Sequence, residues 1–306
     1  NPGGSAPAGS APAGRPAAVE LLDVSRRFGG LTALRAVNLE LSRPGLVALV
    51  GVNGSGKTTL LRTLVGLLRP TSGTVRVGGV DPWRFPDRAH RFVGYVPEAP
   101  RPYPGMTVEA YLTFAARLAR PRGERRAAIS RAVESFGLEG VRRQRCGGLS
   151  LGFRQRVALA QLDIVDPAVL VLDEPMNGLD PRQMQQLRDR LRTWTKDRTV
   201  LLSSHLVTEV ADLADEVLFL HAGRLIARFA SAAEPVGDGA RLWAAAEAAP
   251  EPGDVVLRPA PGRTVVVRWA EVQPGPGWRE VGERSARTAL EDLFLASLTL
   301  AEGPLS

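Results

Sequence analysis

The residues with chemistry to offer begin at Gly51-Val52-Asn53-Gly54-Ser55-Gly56-Lys57-Thr58-Thr59. Glycines at this spacing let the backbone curl, so that successive N–H groups point inward. A helix start beside them adds further free donors. The anion that suits such a loop is a polyphosphate. Lys57 can reach the outer phosphates, and the Thr58 hydroxyl can ligate Mg²⁺. A second group lies far along the chain, at Asp173-Glu174. Adjacent carboxylates at the end of an apolar run are costly unless they are used. Asp173 can hold Mg²⁺ directly or through water, and Glu174 can orient and deprotonate an attacking water.

Three further residues are open to two readings. His205 follows another apolar run and can reach a phosphate or the water, or can simply cap a surface. Ser150 is a natural N-cap, so the helix it starts is either well capped or an anion-ready end. Phe28 lies in a loop upstream of the glycine-rich stretch. It is either a half-buried loop aromatic or a flat surface on which adenine stacks.

These groups need elements to hold them. Leu46–Val50 reads as a buried strand before the loop, and Leu60–Leu68 carries apolar residues at helical spacing after it. Strand, glycine turn and helix are the context a phosphate loop requires. Ala168–Leu172 and Thr199–His205, the latter with a polar end, read as further core strands, so that Asp173, Glu174 and His205 gather at strand ends, where ligands bind in parallel sheets. Val19–Val24 reads as an edge strand, Arg26–Gly30 as a turn, and Ala33–Leu41 as its antiparallel partner. Thr107–Arg120 reads as a helix capped by Thr107, with Val108, Tyr111, Leu112, Ala115 and Leu118 on its apolar face. A second helix follows over Ala127–Phe136, and a long amphipathic one over Gln183–Thr195. Beyond Ser231 the composition turns to Ala, Pro and Gly. Strands are expected at Val255–Leu257 and Thr264–Trp269, with a helix over Ala286–Leu300.

Composition narrows the class. The 306 residues are 44% hydrophobic, enough for a substantial core, and no apolar stretch is long enough to span a bilayer. The single cysteine, Cys146, excludes an intramolecular disulfide framework. Residues 1–18 are Pro/Gly/Ala/Ser-rich without an apolar centre, and predict a disordered tail rather than a signal peptide. The net charge of +7 invites a nucleic-acid reading. However, the arginines are scattered rather than striped, and a solvated face or an anionic membrane surface explains them as well. The only lysines are Lys57 and Lys196, so an ammonium within the phosphate loop is a pointed choice.

Together the motifs resemble the ATP-binding cassette (ABC) ATPases over residues 19 to about 228. Gly51–Thr58 looks like Walker A, and Val169–Glu174 like Walker B with its catalytic glutamate. Leu149–Phe153 is similar to the LSGGQ signature, Gly178-Leu179-Asp180 to the D-loop, and His205 to the switch histidine. Phe28 falls where the family has its adenine-stacking aromatic. Two positions depart: Glu98 stands for the usual Q-loop glutamine, and Leu151 for the first signature glycine. The run Ser150–Arg156, the Glu98 loop and Leu290–Leu295 look most like ATPase subunits of ABC-2-type exporters.

The resemblance implies an α/β fold. It would be a P-loop NTPase core (19–230) with an antiparallel β subdomain, a helical subdomain at about 101–150, and an α+β accessory domain at 231–306. It implies ATP and Mg²⁺ as cofactors. Asn53, Gly54, Ser55, Gly56, Lys57, Thr58 and Thr59 would hold the phosphates and Phe28 the base. Thr58, Asp173 and Glu98 would serve the metal, and Glu174, His205 and Lys57 the hydrolysis. It further implies a homodimer or pseudo-dimer packed head to tail, with Ser150, Gly152 and Asp180 closing over the partner's nucleotide. The expected partner is a separate membrane permease, with the chain at the cytoplasmic face of the membrane and no direct nucleic acid. A non-transport ATPase of the same fold and the ATPase of an importer are the competing functions. A kinase or GTPase is disfavoured by the signature-like helix and the Asp-Glu pair.

Overall fold

A computed structural model describes residues 18–119, 125–230, 241–246, 255–260, 263–270 and 279–283. The chain opens with β1 (Val19–Phe28), β2 (Leu31–Leu41), β3 (Gly45–Val50) and α1 (Lys57–Leu64). Next come β4 (Ser72–Val77), a short α2 (Pro86–Ala89), β5 (Val93–Val96), α3 (Val108–Ala119) and α4 (Arg125–Ser135). The second half runs through α5 (Leu151–Val165), β6 (Val169–Asp173), α6 (Pro181–Trp194) and β7 (Thr199–Ser204). It then passes through β8 (Glu216–His221) and β9 (Arg224–Ala230) to β10 (Arg241–Ala246), β11 (Val255–Ala260), β12 (Arg263–Ala270) and β13 (Arg279–Glu283).

Strands β8, β3, β7, β6 and β5 lie side by side and parallel, which brings their C-terminal ends to one edge. Both faces of this sheet are covered, which is why its strands read as unbroken apolar runs. Leu46, Ala48 and Val50 of β3 pack into one core with Val96, Leu112, Leu172 and Trp194. Val47 and Leu49 point the other way, into a second core with Leu60 and Leu64 of α1 and Leu21 and Val75 of the small sheet. That small sheet is antiparallel, in the order β2-β1-β4.

Several expectations need correction. β1 is the central strand of its sheet, not an edge, and it continues through Phe28, so only Gly29-Gly30 turn. Phe28 therefore ends a strand rather than sitting in a loop. The helix expected from Thr107 forms, and the Thr107 hydroxyl accepts from the Ala110 N–H at 3.2 Å. Leu118 on it is 69% exposed, not part of the packed face. The amphipathic helix α6 starts earlier than expected, at Pro181, because Asp180 caps it and proline tolerates the first helical position. β11 and β12 fall where expected, but β10 and β13 were not foreseen. All four continue the large sheet through β9, with Leu257 opposite Ala227. The expected helix over Ala286–Leu300 and the tail up to residue 17 lie outside the described residues.

Candidate functional site

The glycine-rich loop joins the C-terminal end of β3 to α1. Gly56 takes the N-cap of α1 at φ 109°, a conformation that side chains resist, and no side chain caps the helix start. Its first N–H groups are thus left for a ligand. A Cβ at Gly56 would meet the Ala33 carbonyl oxygen at 2.7 Å, and one at Gly51 would meet that of Leu220 at 2.4 Å. The loop is pinned from the side as well. The Gly223 N–H, in the turn between β8 and β9, donates to the Ser55 carbonyl at 2.8 Å, and the Arg35 N–H donates to the Gly223 carbonyl at 2.9 Å.

A cleft of about 680 Å³ opens above this loop. Asn53, Gly54, Ser55, Gly56, Lys57, Thr58 and Thr59 line its floor, and Phe28, Glu98, Glu174 and His205 line the rest, joined by Asn177 and Gly223. Phe28 is 43% exposed, and the Arg26 guanidinium carbon sits 4.5 Å from its ring centroid, over one face. Glu98 is bonded by the Asn177 amide at 3.4 Å.

At the floor the charged groups form one connected chain. The Lys57 ammonium donates to the Gly51 carbonyl at 2.7 Å and lies 3.3 Å from Glu174 Oε1. The other oxygen, Oε2, is 2.9 Å from His205 Nδ1 and accepts from the His205 backbone N–H at 3.3 Å. A carboxylate only accepts, so Nδ1 carries the proton. Behind Glu174 lies Asp173, completely buried at the end of β6. Its Oδ1 accepts from Thr58 Oγ1 at 3.2 Å and from Ser203 Oγ at 2.8 Å, and its Oδ2 from the Tyr95 hydroxyl at 3.2 Å. Burial, and secondly the Asp173 charge, push the Tyr95 phenol up to about 12, so at neutral pH it remains a donor.

Magnesium takes hard oxygen donors, usually one or two from the protein with waters and substrate phosphates completing the shell. Thr58 and Asp173, held together at the loop, fit that demand, and Glu98 lines the same cleft.

Ser150, Gly152 and Asp180 do not line this cleft. The Ser150 hydroxyl caps α5 by accepting from the Phe153 N–H at 3.4 Å, and Asp180 caps α6 through the Gln183 N–H at 2.9 Å. These two helix starts adjoin each other. A Cβ on Gly152 would come within 3.1 Å of the Gly178 carbonyl, and one on Gly178 within 3.2 Å of the Leu151 side chain. The signature-like turn and the D-loop-like turn thus form one surface, and Asn177 beside it reaches the cleft while Ser150, Gly152 and Asp180 do not. Sequence reasoning missed Tyr95, Asn177, Ser203 and Gly223 as members of the site. The polar end of the Thr199–His205 run was a signal for Ser203; no local pattern marked the others.

Comparison with known proteins agrees with this geometry. Residues 34–177 match the ABC transporter family model. The chain is 36% identical over 211 residues to the sulfate/thiosulfate import ATP-binding protein CysA of Mycobacterium tuberculosis, covering 68% of this chain and 60% of that one. It is 30% identical to the bacitracin transport ATP-binding protein BcrA of Bacillus licheniformis, covering 68% of each. A solved ATP-binding subunit of an ABC transporter superposes with a TM-score of 0.65 at 29% identity, covering 69% of this chain and 89% of that one. This chain belongs to the ABC transporter ATP-binding proteins, and its fold is the P-loop ABC cassette. The match spans 60% of the length of CysA, so it speaks for the cassette rather than for the whole of that protein.

Proposed function

We propose that this chain binds and hydrolyses ATP to power transport through a separate membrane permease, as the ATPase subunit of an ABC-2-type exporter. The observation that carries the reading is the buried run Lys57–Glu174–His205 at the mouth of a phosphate loop. Lys57 and the loop N–H groups, Asn53 to Thr59 included, stabilise charge on the outer phosphates. Glu174 accepts a proton from the attacking water, and His205 fixes the carboxylate's orientation and faces the phosphate. Phe28 stacks the adenine. Thr58 and Asp173, with Glu98, would hold Mg²⁺, which when bound would neutralise phosphate charge.

The surface that joins Ser150, Gly152 and Asp180 keeps these residues out of the chain's own cleft. In a head-to-tail pair it closes over the nucleotide of the other copy, so ATP sits at a seam and its hydrolysis frees the two copies. The permease places the chain at the cytoplasmic face of a membrane. In keeping with a separate permease, no helix among the described residues is long and apolar enough to cross a bilayer. Among the described residues Arg142, Arg188, Arg190, Arg198 and Arg228 are paired with carboxylates, so these side chains are already engaged within the chain.

Glu98 and Leu151 favour the exporter type. An importer is the second reading, because CysA is by name an import protein. The test has two arms. In solution, the purified chain should hydrolyse Mg·ATP, and Glu174→Gln should keep ATP bound as a stable dimer while turnover falls by about 10²–10⁴. Turnover at the wild-type rate would remove Glu174 from its role. In sealed vesicles holding the chain with its permease, ATP-driven movement of substrate away from the ATP side supports export; movement toward it supports import.

A further inference from the structure

We propose that Ser203 is a positioning residue for this site, coupling the metal carboxylate to the general base so that one hydroxyl aims both. The inference rests on the cleft being an ATP site.

β6 and β7 are parallel neighbours with Asp173 directly opposite Ser203. The Ser203 hydroxyl donates to Asp173 Oδ1 at 2.8 Å and accepts from the Glu174 N–H at 2.9 Å. A hydroxyl has one proton to give. Here it goes to Asp173, while the oxygen serves the next residue's backbone. Ser203 is completely buried and does not line the cleft, so it acts on the nucleotide only through its two partners.

Those partners need holding. Glu174 has φ 48°, the left-handed region in which a residue with a Cβ persists only when its surroundings enforce it. That turn swings the side chain away from the strand and toward Lys57 and His205. Its N–H is fixed by the bond to Ser203, while its carbonyl accepts from the Asn177 N–H at 3.2 Å. Asp173 is meanwhile gripped on both oxygens, by Thr58 and Ser203 on Oδ1 and by Tyr95 on Oδ2. Without the Ser203 hydroxyl, Oδ1 keeps only the longer bond from Thr58, the residue that must also serve the metal. The buried Glu174 N–H is then left without a partner.

The test compares Ser203→Ala and Ser203→Thr with wild type, and with Glu174→Gln as the control on the site itself. Ser203→Ala should fold cooperatively with a thermal midpoint lowered by roughly 5–15 °C and bind a fluorescent ATP analogue in EDTA within about twofold, because the phosphate loop is intact. Losing a hydrogen bond to a charged group predicts a kcat reduced by about 10–100-fold, with KM for ATP nearly unchanged. The same loss should raise about tenfold the Mn²⁺ concentration that half-saturates the protein with a non-hydrolysable ATP analogue, read by electron paramagnetic resonance. Ser203→Thr restores a hydroxyl and should recover most of both. Wild-type kcat and Mn²⁺ affinity in Ser203→Ala would overturn the proposal. So would loss of metal-free nucleotide binding together with a collapsed thermal midpoint, which would mark Ser203 as structural. If the wild-type chain itself hydrolyses no Mg·ATP, it is the ATPase reading that fails; if Glu174→Gln hydrolyses at the wild-type rate, Glu174 is not the base and the Ser203 coupling falls with it.

Discussion

The Lys57 ammonium lies 3.3 Å from the Glu174 carboxylate, and each side chain is only 7% exposed. The cation proposed for phosphate and the base proposed for water therefore hold each other in the protein without nucleotide.

Removing one member of such a pair leaves the other buried and uncompensated. Lys57→Ala should therefore lower the unfolding free energy by about 3–5 kcal/mol in the absence of nucleotide, besides abolishing hydrolysis. Adding Glu174→Gln to it should return part of that stability, because the orphaned charge is gone. Urea unfolding of the two single variants and the double variant reads the coupling directly. Strictly additive losses would show that the pair does not interact.

Phe28 should act on the base and not on the phosphates. Stacking on an aromatic ring is worth about 1–3 kcal/mol per base, so Phe28→Ala should weaken ATP binding about tenfold or more while leaving inorganic triphosphate binding unchanged. Phe28→Trp should keep ATP affinity. Calorimetric titration with both ligands checks it, and an equal loss for both would argue that Phe28 shapes the loop instead.

The two buried phenols carry a pH signature. Tyr95 is pushed up to about 12 by burial and then by Asp173; Tyr111 is pushed up to about 12 by burial and then by Cys146 and Tyr103. The folded chain binds these protons more tightly than the unfolded chain, whose phenols ionise near 10. Their contribution to stability is therefore complete below pH 10 and is lost as pH rises from 10 to about 12. Tyr95→Phe should flatten part of that alkaline decline, as measured by urea midpoints across this range. An unchanged slope would mean that the Tyr95 proton is held no more tightly in the fold than out of it.

What could be read from the sequence was local. The phosphate loop declared itself because its glycines, lysine and threonine are contiguous and flanked by a strand and a helix. The buried strands did so because both of their faces are covered. The misreadings are non-local. Nothing within Val19–Phe28 tells that β4, some fifty residues on, arrives to make β1 central. Leu118 keeps helical spacing with its buried neighbours but lies near the end of α3, beyond the reach of the packing. Tyr95 looked like one more apolar strand residue, and its hydroxyl found a role only because β5 is set beside β6. Ser150 and Asp180 belong to recognised motifs, yet in the folded chain each caps a helix; their proposed chemistry needs a second copy.

The pairing of β11 onto β9 carries one more consequence. The cassette's sheet does not stop where its catalytic motifs do. A chain cut after Ala230 would bare the far side of β9, offering unpaired N–H and C=O groups to any passing strand. Such a shortened cassette would keep every nucleotide contact and still gain a sticky flank.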